Sequence, residues 1–108
     1  MTLFIIFPKL PVAAMAIYPF ILLKRKEYKG DLMLLNHEKI HHRQQIELLF
    51  ILFYVLYLIN YLVNLFRFKS HHQAYMNIVF EKEAFANEHN LNYLKTRKTF
   101  ASFRNIKR

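Results

Sequence analysis

The chain has 108 residues, 55% of them hydrophobic, with 11 Phe, 7 Tyr, three Pro and a single Gly. That length supports one modest domain, residues 1–108, and so few turn residues favour helices over a turn-rich β fold. Sixteen Lys and Arg against seven Asp and Glu give a formal charge of +9, and the absence of Cys excludes disulfides, Cys-ligated zinc and thiol chemistry.

The first 23 residues are apolar apart from Thr2 and Lys9, and Pro8, Pro11 and Pro19 interrupt them. "MTLFIIFP" lacks the positive start that a cleaved signal peptide places before its apolar centre. A kinked, membrane-associated segment is expected here, with a short strand or hairpin in "AIYPFILLK" as the alternative. "KRKEYKGD" then breaks the pattern around the only glycine, Gly30. Asp31 or Asn36 is placed to cap a helix beginning near residues 32–37.

No Gly or Pro follows, so the simplest reading is one long helix over 32–68. Within it, residues 48–66 carry no charge and only Asn60 and Asn64 as strongly polar residues. Those 19 residues approach the roughly 20 that a spanning helix needs, and basic residues stand beside them at Arg67 and Lys69, as at Lys24, Arg25 and Lys26. The partner this implies is membrane lipid, not nucleic acid. The two Asn, four apart, share a face and suit a helix–helix contact. "SHHQ" reads as a capping box on Ser70 that opens a third helix over 71–95. "TRKTFASFRNIKR", 96–108, reads as a basic, aromatic tail suited to a lipid surface. The fold expected is therefore all-α, a helical hairpin whose long first arm runs into a membrane-embedded segment, with at most one short N-terminal strand or hairpin.

The chemistry concentrates in "NHEKIHHRQQ", residues 36–45. On a helix His37 and His41 lie one turn apart, so both imidazoles can point at one metal. Glu38 sits about 100° round, within reach of a metal-bound water without being a ligand. The H-E-x-x-H spacing is thus a mechanical requirement for zinc and a general base. A catalytic zinc also wants a third protein ligand and an open fourth position. His71 and His72 stand roughly 45 Å along a continuous helix and are poor partners. His42 points off the ligand face and reads as a solvated neighbour. If the third helix folds back antiparallel, "FEKEAFANE" returns to the motif with Glu81, Glu83 and Glu88, of which Glu81 and Glu88 share a face. Gln44 lies on the ligand face, three residues after His41, where it can bond a ligand, a water or a substrate carbonyl.

"HEKIH" followed some forty residues later by "EKEAF" resembles the gluzincin group of zinc metallopeptidases, especially membrane-linked ones whose second motif reads E-x-x-A-D or E-x-E-A-D. The resemblance implies that His37, His41 and Glu81 bind Zn2+ and that Glu38 is the catalytic base. The sequence departs at Phe85, where those families have an aspartate that orients a ligand histidine. The register "E-A-F-A-N" offers an alternative, with Glu83 as ligand and Asn87 as the orienting group. From Asn36 to Leu94 the chain also resembles small membrane proteins of Bacteroidetes-type bacteria that carry H-E-x-x-H-x-x-Q and "FExEAYxNE". That likeness implies a bacterial inner-membrane location and brings little known function with it.

The expectation that follows is a membrane-associated zinc metallopeptidase acting on a peptide or membrane-protein substrate by metal-activated water. A non-catalytic or degenerate metal-binding membrane protein is the alternative, motivated by size: only "AIYPFILLK" or "DLMLL" could supply a strand to align a substrate. A basic helical protein binding anionic lipid or nucleic acid ranks last, because it leaves the paired motifs unexplained.

Overall fold

A computed structural model describes residues 2–105. The apolar N-terminal stretch forms three short strands, β1 (Leu3–Ile6), β2 (Ala14–Ile17) and β3 (Phe20–Leu23). The sheet order is β1-β3-β2, with β1 parallel and β2 antiparallel to β3. The fold is therefore mostly helical with a small sheet, and the all-α expectation is corrected by a third strand beside the β2–β3 hairpin. The prolines explain this outcome: Pro8 and Pro11 cut the run into pieces too short for a helix, and the Ile-, Phe- and Leu-rich pieces suit a pleated surface instead. Central strand β3 buries Ile21 and Leu23 completely, against Leu35 of the following helix.

After a 3₁₀ turn over Lys26–Gly30 comes α1 (Leu32–Glu47). Asp31 caps it, its side chain accepting from the Leu34 amide at 3.1 Å. Lys39 and Arg43 of α1 are exposed, while seven of its polar side chains, those of Asn36, His37, Glu38, His41, His42, Gln44 and Gln45, are buried. Two of them bind the helix to the sheet. Gln45 accepts from the Tyr18 amide and donates to the Ala16 carbonyl, both at 2.8 Å, and His42 Nε2 donates to the Phe20 carbonyl at 2.8 Å. His42 is thus a buried anchor and not a solvated neighbour.

The expected 32–68 helix is broken at residues 48–50, and α2 runs from Ile51 to Phe68. Leu49 and Phe50 take positive φ values of 54° and 63°. Such residues cost of order 1–3 kcal/mol each. The bend is offset by burial of Leu48 and Phe53 with Ile78 and Phe80, each full burial contributing about 1.5–3 kcal/mol. Phe53 and Asn64 of α2 are buried, Leu56, Tyr57 and Tyr61 pack partly against the core, and most of its other apolar residues, among them Leu58, Leu62 and Phe66, face outward. The helix is long and apolar enough to cross a membrane.

The expected 71–95 helix is likewise three pieces, α3 (His71–Met76), α4 (Val79–Asn87) and α5 (Tyr93–Thr96). Ser70 caps α3 through the Gln73 amide at 3.3 Å. The asparagines of α2 set the next break: Asn64 donates to the Ala74 carbonyl at 3.1 Å, and Asn60 accepts from the Val79 amide at 2.8 Å, supplying the first turn of α4. At the other end of α4, Asn36 of α1 donates to the carbonyls of Asn87, Glu88 and Asn90 at 3.2, 2.9 and 3.0 Å. The Asn87 and Asn90 carbonyls also accept backbone amides, from Asn90 at 3.1 Å and Tyr93 at 2.9 Å, so Asn36 ties the turn that ends α4 to α1. The C-terminal stretch, expected as a surface tail, turns back in a 3₁₀ helix (Ala101–Asn105) with Arg97, Ala101 and Ser102 buried. Residues 106–108 of that expected tail lie outside the described residues.

Candidate metal centre

One turn of α1 and the first turn of α4 face each other, and between them lie His37, His41 and Glu81, all buried. Both histidine Nε2 atoms stand 3.1 Å from the same oxygen, Glu81 Oε1. The donor atoms of the three residues lie within 4.8 Å of one another and could hold a metal ion.

The surrounding hydrogen bonds decide what the two imidazoles present to that oxygen. Gln44 Nε2 donates to the Phe80 carbonyl at 3.1 Å and to Glu83 Oε1 at 2.9 Å, so its amide cannot be reversed without setting oxygen against oxygen. Its Oε1 therefore accepts from His41 Nδ1 at 2.7 Å. His37 Nδ1 donates in the same way to Glu88 Oε1 at 2.7 Å. Each neutral ring then carries its proton on Nδ1 and turns a bare Nε2 toward Glu81, whose other oxygen accepts from the Tyr57 hydroxyl at 2.6 Å. In that neutral form two nitrogen lone pairs and a carboxylate oxygen converge.

A cation is what such a point lacks. Ligands held at 2.0–2.1 Å in a tetrahedron stand about 3.3 Å apart, close to the 3.1 Å separations here. Without a metal, a proton is the cation this point draws: burial works against a charged His41 ring, yet the Glu81 carboxylate raises its pKa to about 9, and the charged ring then donates from Nε2 to Glu81 Oε1. Burial likewise opposes ionisation of Glu81, but His41, His37 and Tyr57 hold its carboxyl well below the usual range.

Glu38 has no hydrogen-bond partner among the described residues, and burial pushes its pKa up from the ordinary value. It lines a cleft of about 270 Å³ together with the three ligand candidates. Apolar and aromatic side chains, including Met15, Phe53 and Tyr54, form much of the remaining wall.

The other candidates lie elsewhere. Glu83 points away from the ligand cluster into a separate buried group, where its oxygens accept from Arg97, Tyr93, Ser102 and Gln44. Asn87 donates to the Glu83 carbonyl of its own helix at 2.8 Å and its side chain does not reach the ligands. His71 pairs with the Tyr61 hydroxyl on the exposed surface. Phe85 packs its ring against His37, centroids 4.5 Å apart, and the orienting carboxylate comes instead from Glu88, one turn further on. Glu88 shares the face of Glu81, and that periodicity was the available signal. Nothing in an unbroken apolar run marked Tyr57.

Comparison with known proteins finds no match, whether to a family model, a curated protein or a solved structure.

Proposed function

We propose that the protein is a membrane-associated zinc metallopeptidase that hydrolyses peptide bonds with metal-activated water. The observation that carries this reading is the meeting of His37, His41 and Glu81 beside Glu38, in one cleft walled partly by β2. Two imidazoles and one carboxylate with room for a fourth ligand make a donor set that suits catalytic zinc. Zinc held there would supply Lewis acidity, lowering the pKa of a coordinated water toward neutrality and polarising a carbonyl.

The chain's own groups supply the rest. His37, His41 and Glu81 hold the cation, and Glu88, Gln44 and Tyr57 fix their orientation. Glu38, its pKa raised above the ordinary value by burial, takes the proton from water and passes it to the departing amine. Strand β2 aligns the peptide. The bond from the Lys24 amide to the Ala13 carbonyl at 3.0 Å places residue 13 in the ladder with β3, so alternation turns the backbones of Ala14 and Ala16 outward. Gln45 takes the Ala16 carbonyl, while the amide and carbonyl of Ala14, at the cleft wall, have no partner among the described residues. An extended substrate can add there as the next strand.

The outward apolar face of α2 supports placement in or on a bilayer, taken to be a bacterial inner membrane, with peptides or membrane proteins as substrates. Metal analysis and a peptide-hydrolysis assay on detergent-purified protein test the reading. One zinc per chain is expected, lost in His41→Ala. Glu38→Gln should keep zinc and lose hydrolysis by about 10²–10⁴-fold. A wild type that binds no zinc ends the proposal; zinc with no Glu38-dependent hydrolysis leaves a non-catalytic metal site.

A further inference from the structure

Behind His41 a second buried group joins the cluster to the C-terminal segment. Arg97, its side chain fully buried, donates through Nη1 and Nη2 to the two oxygens of Glu47 at 2.6 and 3.1 Å. It also donates through Nε to Glu83 Oε2 and through Nη2 to Glu83 Oε1 at 3.0 Å. Tyr93 and Ser102 donate to the same Glu83 carboxylate, each at 2.6 Å, and Glu47 accepts from the Phe100 amide at 3.0 Å. Residues 93–102 thus close over Glu83 from one side. From the other side Gln44 reaches it, and Gln44 also holds His41.

We infer that Arg97 is a positioning residue of the metal centre, acting through Glu83 and Gln44 on His41, so that docking of the C-terminal segment and metal binding are one coupled event. The inference rests on reading the His37–His41–Glu81 cluster as a metal site, and needs no peptidase activity. Its steps are local. The Glu83 carboxylate can face Gln44 only with a donor, so the amide NH2 is drawn to it and the amide oxygen is left for His41 Nδ1. That contact keeps the proton on Nδ1 and the lone pair on Nε2. Arg97 is the guanidinium whose planar fork holds Glu83 in the interior, and a carboxylate stripped of it has no cation there to keep its place. Coupling between two binding events is reciprocal. Whatever factor the docked segment adds to metal affinity, metal adds to docking.

Zinc affinity, measured by chelator competition on the full chain in detergent, tests this. Arg97→Met should weaken zinc about 10–100-fold, the range for partners of ligand histidines. Arg97→Lys should restore only part, because one ammonium cannot form the two-pronged bonds. In Gln44→Met the Arg97→Met change should have no further effect. Equal affinities in wild type and Arg97→Met, or losses that multiply in the double variant, would overturn the inference while leaving the metal centre standing. If Arg97→Met does not fold, tryptic cleavage of the wild type after Lys95, Arg97 and Lys98 reads the same coupling. Zinc should slow it at least about tenfold, and an unchanged rate overturns the inference. A wild type without zinc affinity takes down the metal centre as well.

Discussion

Glu81 and Glu83 are the same residue type, two positions apart on one short helix and both buried, yet they meet opposite surroundings. Glu83 meets a guanidinium, two hydroxyls and an amide, all donors supplied by the chain. On its Oε1 side Glu81 meets nitrogens of two rings that, when neutral, have their protons engaged elsewhere. One carboxylate is neutralised by the chain's own donors; the other faces two imidazoles in a cluster that could hold a metal ion. A candidate ligand site is recognised less by its acids than by the charge its neighbours fail to provide.

Substitutions should separate the two acids. The largest effect is expected from Glu81→Ala, which should take zinc from one per chain to none by metal analysis while the metal-free protein stays folded by circular dichroism. Retained stoichiometric zinc would erase the distinction. Next, Glu83→Ala should destabilise by about 3–5 kcal/mol in denaturant unfolding, since Arg97 loses a buried partner. The folded fraction should still bind zinc, more weakly. Smaller again, Glu88→Gln should lower zinc affinity by about tenfold, because an amide can still accept from His37 Nδ1 but without charge. The smallest effect concerns acid. Burial opposes ionisation of Glu83, but Arg97, Ser102, Tyr93 and Gln44 hold its pKa below the ordinary 4.5. A depressed folded value means stability present above about pH 4.5 and lost as pH falls through the folded value. Unfolding at a series of pH values should show Glu83→Gln losing less stability over that range than the wild type.

The part of the centre written as local spacing could be read in advance. His37, Glu38 and His41 follow from one turn of helix, and Asp31 and Ser70 cap as their positions suggest. The pairing of Glu81 with the histidines needed only that a later helix return. What could not be read depends on contacts distant in sequence. The turn at Leu49 and Phe50 has no Gly or Pro to announce it, and exists because burial of Phe53 and Leu48 outweighs two left-handed residues. Arg97 sits in a run of basic residues that suits solvent, and only the carboxylates of Glu47 and Glu83 draw it inside. Asn36, a candidate cap for its own helix, instead ends α4 fifty residues away.

Tyr57, the donor on Glu81 Oε2, belongs to α2, whose other side chains mostly point outward. The hydroxyl that steadies this candidate ligand therefore rides on a helix whose apolar face is open to whatever solvates the protein. A surfactant that shifts α2 by an ångström shifts that hydroxyl by as much, which makes the choice of solubilising agent a variable of the coordination chemistry and not only of handling.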